Sequence, residues 1–289
     1  MTVFCDWLDV TCHPDSSFVP SLSRWAVANY PVAYADEEAG RLIYEVGYGK
    51  LVIEEKHKFH RASASGGVLQ QLRDNDVFEQ YLTILSTVPH AVTRLDAAID
   101  VPVDGPDILR SLEAKYPDDV IRLTHKPMKI KRFYSTRSDG QLTGTWYVGH
   151  RSRARVSARV YDKQAEAFEV RGEILKPTTR TELTFRRDIG CSLRDAYMPA
   201  SLFYEYASPS LIDKPSDIPP WESHASGWES DQAPPPLTYQ QFQKRVDESP
   251  ELAALVQLAE ELGPGATKHL VRTFCDRLGY ELTLPLTDD

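Results

Sequence analysis

The sequence predicts an α+β fold: an extended, mostly antiparallel sheet with helices on one face, followed by a linker and a small helical C-terminal region. Three segments, residues 93–101, 155–163 and 180–187, alternate apolar with polar side chains. Successive side chains of a strand point to opposite faces, so this alternation indicates strands with one buried face. Their other face mostly carries Asp, Glu, Arg, Ser, Thr and Tyr. We therefore expect a single polar sheet surface, and we expect it to hold the active site.

Further strands are predicted by the same alternation elsewhere in the chain. Residues 3–11 alternate as a strand, and residues 42–54 alternate around two glycines as a hairpin or a bulged strand. Residues 120–160 are rich in strand-forming residues, with a hairpin turn predicted at 138–140. The three polar-faced strands therefore have enough neighbours to build a large sheet.

Helices are predicted where apolar residues recur every three or four positions. After Ser65-Gly66-Gly67, one buried helix face is formed by Phe78, Tyr81, Leu82 and Leu85. A short amphipathic helix is predicted over 108–116, and another begins directly after Tyr161 with Asp162 as its N-cap. Tyr161 would thus lie at a strand-to-helix junction, near the positive end of a helix dipole, which favours a phosphate.

Composition divides the chain of 289 residues into three parts. Residues 1–212 carry the strand patterns and are predicted to form the catalytic domain. Residues 213–236 are rich in Pro and Ser and are predicted to be a linker with little regular structure. Residues 237–289 are predicted to form a helical region, with helices over 239–247, 252–262 and 267–278.

The net charge of −9 conceals a strongly basic centre. Residues 122–163 hold eleven Lys and Arg against two Asp, whereas residues 213–289 hold fourteen acidic and six basic residues. Local patches decide phosphate binding more than the total charge does, so we expect the centre to bind nucleic acid. The alternative is a solvated hairpin surface. Interleaved aromatic residues that could stack on unpaired bases favour nucleic acid: Phe133, Tyr134, Trp146 and Tyr147.

The sequence indicates a cytoplasmic protein with no membrane partner. No apolar run approaches the roughly 18 residues of a membrane span. The first residues place Asp6 and Asp9 where a signal peptide would be apolar. The four cysteines have no zinc-like spacing, so we expect them to be buried thiols.

The order and spacing of several motifs resemble the replication initiation factor family, which includes rolling-circle initiators of plasmids and filamentous phages and relaxases of some conjugative elements. The resemblance covers most of residues 1–190. The motifs are Asp6-Trp7-Leu8, Ser65-Gly66-Gly67, Arg94-Leu95-Asp96-Ala97-Ala98-Ile99-Asp100, Thr145-Trp146-Tyr147-Val148-Gly149 with Arg151-Ser152, Arg159-Val160-Tyr161-Asp162-Lys163, and Arg180-Thr181-Glu182-Leu183. The resemblance implies nicking of one DNA strand by a tyrosine, which leaves a 5′-phosphotyrosyl link and a free 3′-hydroxyl.

Tyr161 is the predicted nucleophile, with Arg159 and Lys163 beside it. A phenol of pKa about 10 is a poor nucleophile at neutral pH unless cations or a metal favour its phenolate. Arg159 and Lys163 lie two positions on either side, roughly 6.6 Å along a strand. Two alternatives stay open: Tyr161 is structural, or Tyr147 is the nucleophile.

Asp96 and Glu182 are the predicted ligands of Mg²⁺ or Mn²⁺, which would polarise the scissile phosphate. Asp100 is a third candidate, but it lies about 13 Å from Asp96 in an extended strand, so both bind one ion only if the strand bends. The alternative for Glu182 is an ion pair with Arg180 or Arg94. The sequence lacks the His-hydrophobic-His metal motif that many tyrosine nickases use.

The predicted partner is origin DNA, both double-stranded and single-stranded. Basic residues predicted to contact it are Arg94, Lys129, Lys131, Arg132, Arg151, Arg153, Arg155 and Arg180. The resemblance also implies a homodimer, and the acidic C-terminal region is expected to meet either DNA or a partner such as a host helicase. Two alternatives to an initiator remain: a conjugative relaxase with the same chemistry, and a non-catalytic DNA-binding regulator on the same fold.

Overall fold

The computed structural model describes residues 2–14, 16–36, 40–123, 127–137, 140–150 and 154–223. The chain divides into one compact unit, Met1–Glu229, and a second unit, Ser230–Asp289. The predicted helical region 237–289, most of the predicted linker and most of the predicted turn at 138–140 lie outside the described residues. All of the described residues belong to the first unit.

The described residues form eleven strands and seven α-helices. The strands are β1 (Val3–Cys12), β2 (Val32–Asp36), β3 (Arg41–Val46), β4 (Gly49–Lys56), β5 (Phe59–Ser65), β6 (His90–Val101), β7 (Val120–Ile121), β8 (Met128–Thr136), β9 (Leu142–Val148), β10 (Val156–Asp162) and β11 (Thr179–Arg186). The helices are α1 (Phe18–Asn29), α2 (Gly66–Asp74), α3 (Phe78–Ser86), α4 (Gly105–Lys115), α5 (Lys163–Arg171), α6 (Leu193–Tyr197) and α7 (Ala200–Ala207). Within these residues, no helix combines the length and the apolar character that a membrane crossing requires.

All neighbouring strands pair antiparallel in one open sheet, in the order β2-β3-β4-β5-β1-β6-β11-β10-β9-β8-β7. Two meanders, β2 to β5 and β7 to β10, form the flanks. The last strand, β11, lies in the centre between β6 and β10. The predicted α+β class with an extended antiparallel sheet is confirmed.

The apolar face of the central strands forms the core. In β6, the alternating residues Leu95, Ala97 and Ile99 are fully buried, and Leu183 and Phe185 continue this face on β11. Helices α1, α6 and α7 contribute buried residues to the same apolar cluster. The predicted buried face of α3 is confirmed, and the described cysteines are free and buried, as expected. The polar face of the same strands is thereby left for the functional site.

The strand-to-helix junction after Tyr161 is also confirmed. Asp162 caps α5, since its Oδ1 accepts a hydrogen bond from the backbone N–H of Ala165 at 3.0 Å. Its Oδ2 accepts from the hydroxyl of Thr143 at 2.8 Å, which ties the cap to β9. Lys163 belongs to the first turn of α5 and not, as the alternation predicts, to the strand face that carries Tyr161.

Candidate active site

Strand pairing places the predicted site residues in neighbouring rows on the polar face. Tyr161 of β10 pairs with Arg180 of β11, which pairs in turn with Asp100 of β6. In the next row, Arg159 of β10 pairs with Glu182 of β11. Directly opposed residues on antiparallel strands have Cβ atoms only about 4.5–5.5 Å apart, so each row is a line of contacts across the sheet.

A pocket of about 670 Å³ opens on this face. It is lined by residues of the central strands and by residues of α2 and α5. The predicted site residues that line it are Arg94, Asp96, Asp100, Arg159, Tyr161, Lys163, Arg180 and Glu182. The predicted nucleophile, its two flanking cations and all three predicted metal ligands therefore share one pocket. Seven carboxylates and five Lys or Arg side chains line it, so its formal charge is negative.

Tyr161 is 4% exposed, and two cations contact its ring. The guanidinium carbon of Arg159 lies 4.3 Å from the ring centroid, and Lys163 Nζ lies 5.8 Å from it. Burial raises the pKa of Tyr161 above its ordinary value, and the opposing effects of Arg180 and Arg159 do not cancel it. The flanking cations therefore do not pre-ionise the phenol, in contrast to the effect expected of them from the sequence.

Two of the predicted metal ligands, Asp96 and Asp100, have both carboxylate oxygens engaged by arginine. Arg180 Nε and Nη2 donate to the two oxygens of Asp100 at 2.6 and 2.8 Å. Arg94 donates in the same way to both oxygens of Asp96. Burial raises the pKa of Asp96 to about 6 although Arg94 opposes this. To bind an ion, either carboxylate would have to release a strong bidentate partner.

Glu182 and Asp6 each present one carboxylate oxygen that no arginine engages. Arg159 Nη2 donates to Glu182 Oε2 at 2.6 Å, and Arg180 Nη1 donates to Asp6 Oδ1 at 2.9 Å. Burial raises the pKa of Asp6, and the nearby charge of Glu182 raises it further. These two carboxylates are therefore neighbours with donor atoms to spare.

Asp6 is a site residue that the sequence analysis missed. The pairing of β1 with β6 shifts between Cys5 and Trp7, so Asp6 is the extra residue of a β-bulge. A bulge re-aims side chains, and here Asp6 and Trp7 both line the pocket. The bulge depends on pairing with a strand some 90 residues away in the chain. The only sequence feature that drew attention to Asp6 was the Asp6-Trp7-Leu8 motif.

The pocket has the donor chemistry for a divalent cation, but the predicted ligand set is not arranged as one site. Among the described residues, no group of three or more His, Cys, Asp or Glu side chains is placed to hold a metal ion. Mg²⁺ is commonly held by only one or two carboxylates together with substrate phosphates. Asp6 and Glu182 fit that pattern better than Asp96 and Asp100 do.

A strip of four residues, Lys129, Lys131, Phe133 and Tyr147, continues the polar face beyond the pocket; the first three are exposed and Tyr147 is half-buried. Lys131 of β8 pairs with Tyr147 of β9, and Tyr147 pairs with Arg159 in the pocket. Phe133 is 58% exposed, and its ring centroid lies 5.5 Å from that of Tyr147 in an edge-on contact. We call these four residues the outer strip. It joins cations and aromatic rings directly to the row that contains Arg159.

The other predicted DNA-contacting residues of β8 and β9 lie on the opposite face. Arg132 forms an ion pair with Asp119, and its guanidinium carbon lies 4.7 Å from the ring centroid of Trp146. Trp146 is 1% exposed and belongs to the core. The hydroxyl of Tyr134 donates to Glu113 Oε1 at 2.6 Å. Strand alternation thus places Arg132, Trp146 and Tyr134 on the face opposite the pocket.

Three predicted DNA contacts remain: Arg151, Arg153 and Arg155. Arg155 donates to the backbone carbonyl of Asp188. Arg151 and Arg153 lie outside the described residues. Of the predicted DNA contacts on β8, the structure therefore leaves Lys129 and Lys131 exposed on the face of the pocket.

No protein-family model and no curated protein matches the sequence. Among solved structures, the chain is similar to a rolling circle replication initiator protein from Geobacillus stearothermophilus, with 18% identity over 71% of this chain and 85% of that chain and a TM-score of 0.44. It is also similar to the di-domain ARO/CYC BexL from the BE-7585A biosynthetic pathway, with 12% identity over 68% of this chain and 92% of that chain and a TM-score of 0.20. Since both TM-scores are below 0.5, neither likeness establishes a shared fold or function.

Proposed function

We propose that this protein initiates rolling-circle replication of a phage or plasmid by nicking and rejoining one strand of origin DNA through a covalent link to Tyr161. The observation that carries the proposal is the pocket, where Tyr161 lies with Arg159, Arg180 and a group of carboxylates. The outer strip beside it supplies what an unpaired DNA strand needs: cations for phosphates and aromatic faces for bases. The motif order that resembles replication initiation factors supports the same activity.

The proposed reaction exchanges one phosphodiester for another. Tyr161 Oη attacks the scissile phosphorus, the new P–Oη bond forms, and the P–O3′ bond breaks. Asp6 and Glu182 both lie near enough to raise the pKa of Tyr161, and either carboxylate can accept the phenolic proton. The leaving 3′-oxygen takes up the proton from the carboxylate that accepted it and becomes the primer hydroxyl. Rejoining is the reverse attack of a 3′-hydroxyl on the phosphotyrosine.

Because burial keeps Tyr161 protonated, its activation must accompany DNA binding. A phosphate competes with carboxylates for bidentate hydrogen bonds from arginine. Arg159 and Arg180 can therefore donate to a phosphate of the entering DNA strand. Mg²⁺ or Mn²⁺, held by Asp6 and Glu182, would polarise the phosphate. The cation would also offset the negative formal charge of the pocket, which otherwise repels DNA.

The test is incubation of the protein with DNA of its own replicon in the presence of Mg²⁺ or Mn²⁺. We expect relaxation of the supercoiled plasmid and a denaturation-resistant adduct, with mass spectrometry locating a 5′-phosphate on Tyr161. Specific binding to the origin with neither relaxation nor adduct would contradict the proposal.

A second candidate function, a non-catalytic DNA-binding regulator, is favoured by one observation. The buried phenol and the arginine-paired carboxylates are what a purely structural polar network would also show. Such a protein would bind origin DNA and leave it uncut. A conjugative relaxase would give the same adduct, but on DNA that contains a transfer origin, so the DNA source separates these two.

A further inference from the structure

Tyr48 lies at the rim of the pocket with its side chain in solvent. It is 89% exposed, the highest value among the exposed large hydrophobic side chains of the described residues, and it lines the same pocket as Tyr161. Single exposed aromatic residues are common and need no explanation by themselves. Two further observations set Tyr48 apart: its turn packs closely against α2, and its ring faces are uncovered.

The backbone of Tyr48 is held by close contacts with the start of α2. Tyr48 follows Gly47 in the two-residue turn between β3 and β4, where Gly47 adopts a φ of +58°, a conformation that glycine favours. A Cβ on Gly67 would lie 3.0 Å from the carbonyl carbon of Tyr48, and one on Gly49 would lie 2.5 Å from Ser65 Oγ. The Ser65-Gly66-Gly67 motif thus lets the turn dock directly on α2.

The ring of Tyr48 differs from the other aromatic rings that line the pocket. Arg180 lies 4.9 Å from the ring centroid of Phe4, Arg94 lies 4.3 Å from that of Trp7, and the ring of Tyr161 carries Arg159. Within the described part of the chain, no arginine or lysine lies over Tyr48. Tyr48 is therefore the pocket aromatic whose faces are available to a ligand.

We infer that Tyr48 is a base-stacking residue, which holds an unpaired base of the strand whose phosphodiester enters the pocket. The inference rests on the proposed function and adds a positioning residue to it. Every base has a π-face, so such a contact is tolerant of sequence. The close packing of its turn on α2 fixes where the ring stands beside the pocket, which lowers the cost of ordering this contact.

The experiment compares two single-stranded probes by fluorescence anisotropy: an oligothymidylate and an abasic oligomer of the same length. Tyr48→Ala should bind the oligothymidylate about 5- to 100-fold more weakly than the wild type does, the range expected for the loss of one stacked base. It should bind the abasic oligomer as the wild type does, since no base is present to stack. Tyr48→Phe keeps the ring and should stay within about twofold on both probes.

Two further variants control for the fold and for exposure. Tyr34→Ala removes an aromatic ring that is 53% exposed on β2 and does not line the pocket, so it should change neither affinity. Gly67→Ala keeps Tyr48 but moves its turn, and it should weaken binding of the oligothymidylate selectively. Thermal melting of each variant separates this effect from unfolding.

The outcomes distinguish this inference from the proposed function. Equal loss on both probes in Tyr48→Ala, or no loss on either, would overturn the stacking role even if the protein nicks its origin. Selective loss on the oligothymidylate by a protein that forms no adduct would keep the stacking site and overturn the nicking. A wild type that binds neither probe but forms the adduct on its origin would overturn the stacking role and keep the nicking.

Discussion

Arg159 lies on the ring of Tyr161, 4.3 Å from guanidinium carbon to ring centroid. The same guanidinium donates to Glu182 Oε2 at 2.6 Å. The arginine therefore links the predicted nucleophile to a predicted metal ligand. It does so while burial keeps the phenol protonated.

Replacing Tyr161 with Phe should abolish the covalent adduct and leave DNA affinity within a few-fold of the wild type. Phe keeps the ring that Arg159 contacts, so packing should survive and the loss should fall on the chemical step. Tyr147→Phe, which alters a tyrosine one strand away on the same face, is the control and should nick normally. Undiminished nicking by Tyr161→Phe with loss in Tyr147→Phe would reverse the assignment.

Because the pKa of Tyr161 is raised, we expect its phenol to begin to ionise only at a higher pH than that of an ordinary tyrosine. In the free folded protein, the phenolate absorption attributable to Tyr161 should be absent up to about pH 10, the ordinary pKa of tyrosine. The measurement is the ultraviolet titration of the wild type minus that of Tyr161→Phe. Since the folded pKa exceeds the unfolded one, the wild type should also lose stability relative to Tyr161→Phe above that pH. A phenolate signal below about pH 9 would mean that the cations outweigh burial.

The metal assignment predicts different effects for carboxylates in one pocket. Glu182→Gln and Asp6→Asn should lose nicking and weaken Mn²⁺ binding by at least about tenfold, since neutral amides are poor ligands for hard cations. Asp100→Asn should leave Mn²⁺ affinity unchanged, because Arg180 engages both oxygens of Asp100. Calorimetry with Mn²⁺ measures all three. Weakened binding in Asp100→Asn and Glu182→Gln, with unchanged binding in Asp6→Asn, would instead support the ligands predicted from the sequence.

Two adjacent aromatic residues of β8 give a matched test of the outer strip. Phe133 and Tyr134 are 58% and 51% exposed but lie on opposite faces of the strand. Phe133→Ala should weaken binding of single-stranded DNA by about 5- to 100-fold through the loss of stacking. Tyr134→Ala should have little effect on it. Equal losses in both variants would show that strand stability, and not stacking, is what the substitutions disturb.

The lysines of the outer strip should determine the salt dependence of DNA binding. Replacing Lys129 and Lys131 together with Ala should weaken binding to any sequence. It should also reduce the slope of log K against log salt by about 0.9 per lost contact on duplex, or about 0.7 on single strands. Lys58→Ala, in the turn between β4 and β5 on the far flank of the sheet, is the control. If the slope changes in Lys58→Ala but not in the double variant, the DNA-binding surface lies on that flank and not on the outer strip.

Alternation alone was enough to predict the strands that carry the site and their two faces. It placed Asp96, Arg159, Tyr161 and Glu182 on one polar surface, and the structure has them in one pocket. What the sequence could not provide is the pairing between strands. The Asp6 bulge and the pairing of each carboxylate with its arginine depend on register between distant segments, which local patterns do not encode. The separation of Lys131 from Arg132, by contrast, was readable from alternation and was obscured by treating the basic run as one cluster.

The central position of β11 has a consequence for the order in which the sheet can form during synthesis. The ion pair between Asp6 and Arg180 spans 174 positions of the chain, and Glu182 comes from the same late strand. Without this segment, the facing edges of β6 and β10 would be unpaired and the sheet would be divided into two parts. Contacts so distant in sequence form slowly, because long loops must close first. Because β11 carries Arg180 and Glu182, a copy that lacks this strand has a divided sheet and an incomplete pocket.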